Sequence, residues 1–173
     1  MSVTPCAIPA GSRLGGDGLE RASFTDAWTT PLARPAIGVT AIFLGIFAHR
    51  PWWLKALLLA RNQAGAWGGL AASTPAEVLR PERREHYAVG ERIAGWPIFA
   101  LDDSELIAGR DNPHLDFRVS VLKRLEGEAS SVVISTVCTA HNRFGERYLG
   151  VIGPLHRRGI RRLIATAVSA GRL

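Results

Sequence analysis

The sequence predicts an α+β fold in which a curved antiparallel sheet grips a long C-terminal helix and two helices follow the first strand. Three observations lead there. From residue 86 the apolar pattern takes period two, the signature of half-buried strands. Before and after that stretch, in 53–67 and 144–167, apolar residues recur at steps of three and four. The 173 residues are most simply one domain. A chain of that size buries about two-thirds of its unfolded surface.

The elements follow in order. Residues 1–21 hold four glycines and two prolines without an apolar period, so a flexible tail is expected there, and a single domain over 22–173. Phe24, Asp26 and Trp28 alternate with Thr25, Ala27 and Thr29, a first strand that ends at Pro31 and Pro35. Residues 37–48 read as a helix apolar almost all round, hence buried on most sides. Pro51 suits the first turn of a second helix, with Trp53, Leu57, Ala60, Ala64 and Trp67 on one stripe and Gly68 and Gly69 as its stop. Residues 73–85 are expected to be a polar linker that could hold one helical turn. "HYAVGERIAGWPIFAL" and "ELIAGRD" are strands about the turn "DDS" (102–104), with Pro97 marking an edge or a bulge. "HLDFRVSVLKRLE" and "SSVVISTVCTAHN" make a hairpin about "EGE" (126–128). Phe144, Tyr148, Val151, Leu155, Ile160, Leu163 and Ala167 then mark the last helix, which Pro154 should kink or restart.

A net charge of +6 and a pI near 10.3 bring nucleic acid, acidic membrane surfaces and anionic ligands into view. Arg143, Arg147, Arg157, Arg158, Arg161 and Arg162 all fall in the last helix. They read either as contacts to phosphates or an acidic partner, or as a solvated helix face. The stacking aromatics of single-strand binders are missing there, so no specific nucleic-acid partner is expected. Cys6 and Cys138 make no disulfide framework, which fits a reducing cytoplasm. No basic start followed by an apolar run opens the chain. The longest apolar run, 35–48, is shorter than the roughly 20 residues that span a bilayer, so no transmembrane segment is expected. No Gly-rich phosphate loop follows a strand, which argues against a nucleotide cofactor. His49, His86, His114, His141 and His156 show no metal-ligand spacing, so no metal is expected.

The string "HLDFRVSVL", the run "TAHNRFGERYLGVIGPLHRRGIRRL" and the segment "FLGIFAHRPWWLKALLLARN" resemble the bacterial family known as domain of unknown function 2867, over roughly residues 22–168. The C-terminal run is the most specific part; Leu155 stands there where the family has an aromatic residue. The resemblance implies kinship with the START-like, polyketide-cyclase-like superfamily. That fold wraps an antiparallel sheet around a long C-terminal helix and encloses an apolar cavity. The resemblance implies no reaction.

The expected function is therefore binding of a small hydrophobic or amphipathic molecule in an enclosed apolar pocket, without a cofactor. Trp53, Leu57, Phe117, Tyr148, Leu155 and His156 are the candidate ligand contacts. Tyr148 and His156 stand eight apart on one helix face, either as satisfied core groups or as anchors for a ligand's polar end. One alternative is an acid–base enzyme of cyclase, dehydratase or isomerase type in the same pocket, with Asp116, Arg118 and His141 as its catalytic set. Another is a regulatory module that meets an acidic partner through the basic helix.

The catalytic set rests on the strand "HLDFRVSV" (114–121). His114, Asp116, Arg118 and Ser120 share one face; Leu115, Phe117, Val119 and Val121 share the other. If the hairpin folds about Gly127 and Glu128, Asp116 faces Thr139, His114 faces His141 and Ser120 meets Ser135. A slip of one residue would set Asp116 against Cys138 or Ala140. The polar face is then either a solvated surface with an Asp116–Arg118 pair or the rim of a site. Cys138 and His141 point to opposite sides of a regular strand, which disfavours a nucleophile–base dyad.

Overall fold

The computed structural model describes residues 2–15, 17–49, 84, 86–126 and 129–173. Among them seven strands form one curved antiparallel sheet: β1 (Thr4–Pro5), β2 (Phe24–Pro31), β3 (Arg92–Ile93), β4 (Trp96–Leu101), β5 (Glu105–Arg110), β6 (Leu115–Glu126) and β7 (Ala129–Ala140). Their spatial order is β1-β2-β7-β6-β5-β4-β3. Three helices accompany them: α1 (Asp17–Glu20), α2 (Val39–Phe47) and α3 (Arg143–Ser169). The expected α+β class and long C-terminal helix are both present. The second helix expected at 51–67, with Trp53 and Leu57, lies outside the described residues, as does the hairpin turn at Gly127 and Glu128.

The hairpin takes the first of the two registers: Asp116 pairs with Thr139 and Ser120 with Ser135. Period two then sends Val119 and Val121 to one face and Asp116, Arg118 and Ser120 to the other. On the first, inner face, Ile42, Phe43 and Ile46 of α2 and Ile160 and Ile164 of α3 pack on Leu106, Val119, Val121 and Ile134, nearly all fully buried. Each such side chain contributes about 1.5–3 kcal/mol by leaving water. The chain end joins this core: Leu173 is buried and Arg172 Nε donates to the Gly45 carbonyl at 2.9 Å.

Three expectations change. Within the segment expected as a flexible tail, residues 4–14 form a strap. β1 pairs with Trp28 and Thr29, and residues 8–14 then cross the outer face of the sheet. Leu14 is buried on Ile107 and Val137, and Arg13 pairs with Asp102 at 2.6 Å. Irregular backbone leaves no period to read, yet side-chain contacts hold it.

The long strand expected from 86 to 101 breaks at Ala94 and Gly95, both at positive φ (49° and 87°), which is the two-residue turn a tight hairpin requires. The bulge announced by Pro97 falls between Ile98 and Ala100.

The third change concerns the phase of α3, which runs through Pro154 as one helix. Its N-terminal half turns Gly145, Leu149 and Gly153 inward, and leaves Phe144, Val151 and Leu155 exposed at 51%, 69% and 57%. A methyl at Gly145 would overlap the His114 carbonyl, and one at Gly153 would sit 3.0 Å from the Phe24 ring. Close approach to the sheet selects glycine on the inward face, so the large side chains fall outside. Leu155 is therefore on the surface and walls no internal pocket.

Candidate functional site

β2 sends Phe24, Asp26 and Trp28 to the side of the sheet that α3 covers, because alternate residues share a face. Trp28 Nε1 donates to Asp26 Oδ2 at 3.3 Å. From α3, His156 reaches down: its Nε2 lies 3.2 Å from Thr136 Oγ1 and 3.7 Å from Asp26 Oδ1, and its ring meets Phe24 edge-on. Asp26 is almost wholly buried, and its Oδ1 has no hydrogen-bond partner. The next two turns of α3 place Arg157 over Phe24 at 4.8 Å and Arg161 over Trp28 at 6.0 Å. A guanidinium on an aromatic face is held in place while its N–H groups stay available to an anion.

Two open concavities flank this seam. One, of about 440 Å³, is lined by Val3, Ala33, Arg161, Ala165, Val168 and Ser169. The other, of about 410 Å³, has Trp28 as its aromatic base and Arg157, Arg158, Arg161 and Arg162 around it. They share Arg161 and Ala165. The seam thus joins an apolar run to fixed positive charge. Cys138 lies beneath it and is no nucleophile: burial first, and the Asp26 charge second, push its thiol up to about 12.

The catalytic set sits elsewhere. Asp116, Arg118 and Thr139 face the outer side of the sheet, opposite α3. Asp116 pairs with His141 Nε2 at 2.9 Å and accepts the Asn112 amide at 3.0 Å. Arg118 takes Asp111 at 2.6 Å as its partner, rather than Asp116, and lies 3.6 Å over the Phe99 ring. Asp116 and His141 are 32% and 40% exposed, so this end of the outer face is wet. His114 contacts Asn142 and the Phe144 ring. Asp116 and His141 meet, Arg118 shares their face of the sheet but turns to Asp111 and Phe99, and the sheet separates all three from Phe117, Tyr148 and His156. Phe117 packs edge-on against Trp96 in the core, and Tyr148 is half-buried near Leu115, Cys138 and Leu149.

One constellation escaped the sequence reading. Glu105, 1% exposed, accepts hydrogen bonds from Ser12 Oγ, Ser120 Oγ and the Arg13 amide. A signal for it existed. Ile107, Leu122, Val133 and Val137 share the outer face with Glu105, too many apolar groups for a surface left to water.

The family model described as "Protein of unknown function (DUF2867)" matches residues 19–163. The chain belongs to this family. Residues 4–14 of the strap lie before the matched span. No curated protein matches the DUF2867 chain. It is similar to one solved structure, the crystal structure of protein Ms6760 from Mycobacterium smegmatis, at 13% identity and a TM-score of 0.40, over 88% of this chain and 94% of that one. Among the described residues no helix is long and apolar enough to cross a membrane, and no three His, Cys, Asp or Glu side chains converge as a metal site.

Proposed function

We propose that this DUF2867 chain is a ligand-binding domain of the START-like, helix-grip kind. In this reading it holds a small amphipathic molecule with an anionic group along the seam between α3 and β2. The observation that carries the proposal is the meeting of the two concavities at Arg161, with Trp28 beneath it. The ligand's acid group would take the guanidinium N–H groups of Arg157 and Arg161, and its apolar part would lie along Val3, Ala33 and Val168. The pocket is then an open seam rather than an enclosed cavity, and the chemistry needs no cofactor. Calorimetry with decanoate and decanol tests it. Decanoate should bind more tightly than decanol, and Arg157→Gln with Arg161→Gln should weaken decanoate by about tenfold or more. Absence of decanoate binding, or equal binding by the double variant, defeats the proposal.

A second reading, acid–base chemistry, rests on the 2.9 Å contact between Asp116 and His141. A carboxylate that orients an imidazole is the arrangement of a general base. Such chemistry would act on the outer face, apart from the seam. A compound bound equally by the wild type and His141→Gln, but converted only by the wild type, would assign it.

A further inference from the structure

We infer that the exposed face of α3 docks on an anionic membrane surface. Phe144, Val151 and Leu155 are seven and eleven residues apart, so at 100° per residue they fall within about 40° of one another, along some 16 Å of helix. All three stand more than half exposed, and none lines either concavity of the seam. Single exposed apolar residues are ordinary, but an aligned row on one helix is not. Arg158 and Arg162 continue the row, and Arg143 and Arg147 run beside its first half. The helix carries these and two more arginines against one acidic residue, Glu146.

This pattern fits a helix lying in the membrane interface. Its apolar row enters the acyl boundary while the flanking arginines meet headgroup phosphates. A nucleic acid would use the charge but not the row. Phe144 alone offers a ring for a base; Val151 and Leu155 neutralise no phosphate and offer no flat ring, so a nucleic acid would leave most of the row in water. An acidic protein segment would likewise leave the aliphatic side chains in water. A lipid surface accepts both kinds of group at once. Phe144, Val151, Leu155, Arg143 and Arg147 take no part in the seam, whereas Arg158 and Arg162 also line its second concavity, so the test leaves those two in place.

Co-sedimentation of the full chain with lipid vesicles tests the inference. Vesicles of phosphatidylcholine with one-third phosphatidylserine should bind at least about tenfold better than phosphatidylcholine alone. Replacing Phe144, Val151 and Leu155 together by serine should lower that binding about tenfold, as should Arg143→Gln with Arg147→Gln. These residues are exposed, so circular dichroism and decanoate binding should match the wild type and certify the fold. Equal binding to both vesicle types, or undiminished binding by the triple variant, overturns the inference. So does binding to duplex DNA or polyglutamate that exceeds vesicle binding and ignores the triple substitution, since the arginines would then serve an acidic macromolecule.

Discussion

On the inner face of the sheet, Val119, Val121 and Ile134 lie beneath α2 and α3 in apolar contact. On the outer face, one residue along the same strands, Ser120 and Glu105 lie beneath Ser12 and Arg13. Both layers are closed to water, but they are held by different physics. The inner face gains from area removed from solvent, which is non-directional and tolerant of small shifts. The outer face buries a carboxylate, which is tolerable only while each donor stays aimed at it. Alternation in a strand therefore reports polarity, and polarity is not the same as exposure.

The inner face should give the larger single-site loss. Ile134 has no exposed surface, and Ile134→Ala should cost about 4 kcal/mol in urea unfolding, through lost transfer energy and the cavity left behind. A loss below about 1 kcal/mol would mean that the helices close over the gap and the inner face is the softer one.

Glu105→Ala should cost about 3 kcal/mol, because two hydroxyls and one amide lose their acceptor together. The comparison sharpens in a double-mutant cycle. Ser12→Ala alone should cost about 1.5 kcal/mol and less once Glu105 is gone, since the two share one bond while Ser12 Oγ also accepts the Leu14 amide at 3.2 Å. Full additivity would show that the strap is held by Leu14 and not by the buried carboxylate.

The same contrast explains what the sequence could tell. Strand faces and the position of α2 were readable, because each rests on a local period of two or 3.6 residues; the hairpin register was narrowed to two, and the structure takes the first. The strap was not readable. Ser12 and Arg13 stand more than 90 positions from Glu105; the strand around Glu105 marks a covered outer face, but residues 8–14 carry no period to say what covers it. The phase of α3 was misread for a related reason. Glycine counts as nothing in an apolar period, yet Gly145 and Gly153 are where the helix comes closest to the sheet. The seam was half legible. Tyr148 and His156 were placed on the inward side of α3, but Asp26, Trp28 and Arg161 gain their roles only when β2 pairs with β7 and lies under the helix. The register put Asp116 and His141 on one patch, but the ion pair was expected between Asp116 and Arg118; Asp116 takes His141 instead, and Arg118 takes Asp111, which lies in an irregular turn.

Cys138 extends the comparison to alkaline pH. Its thiol is raised from an ordinary 9.0 to about 12 by burial, with Asp26 adding to the effect. The unfolded chain therefore gives up this proton near pH 9, while the folded chain keeps it to about pH 12. The contribution is complete below pH 9. Above it, unfolding releases a proton, and stability falls by at most about 1.4 kcal/mol per pH unit until the folded thiol also ionises. Unfolding curves at pH 8, 9 and 10 should show this extra slope in the wild type and not in Cys138→Ala. Identical slopes would mean that the thiol is wetter than its position on the inner face implies.

The smallest effect is expected where the outer face is open. Asp116 and His141 are about a third or more exposed, so their contact is screened by water and worth at most about 1 kcal/mol. Asp116→Asn keeps an oxygen for the Asn112 amide, which limits the loss further. Arg118 is tied to Asp111 and Phe99 instead, so Arg118→Gln should add to Asp116→Asn without coupling. Had Asp116 and Arg118 formed a walled-in pair, removing one charge would strand the other. The cost would then be about 3–5 kcal/mol, and the second substitution would restore much of it. Urea unfolding of the two single variants and the double separates these outcomes. A large loss in Asp116→Asn that Arg118→Gln rescues would show that the two charges face each other out of water. The outer face would then be closed along its whole length, and the difference between its two ends would disappear.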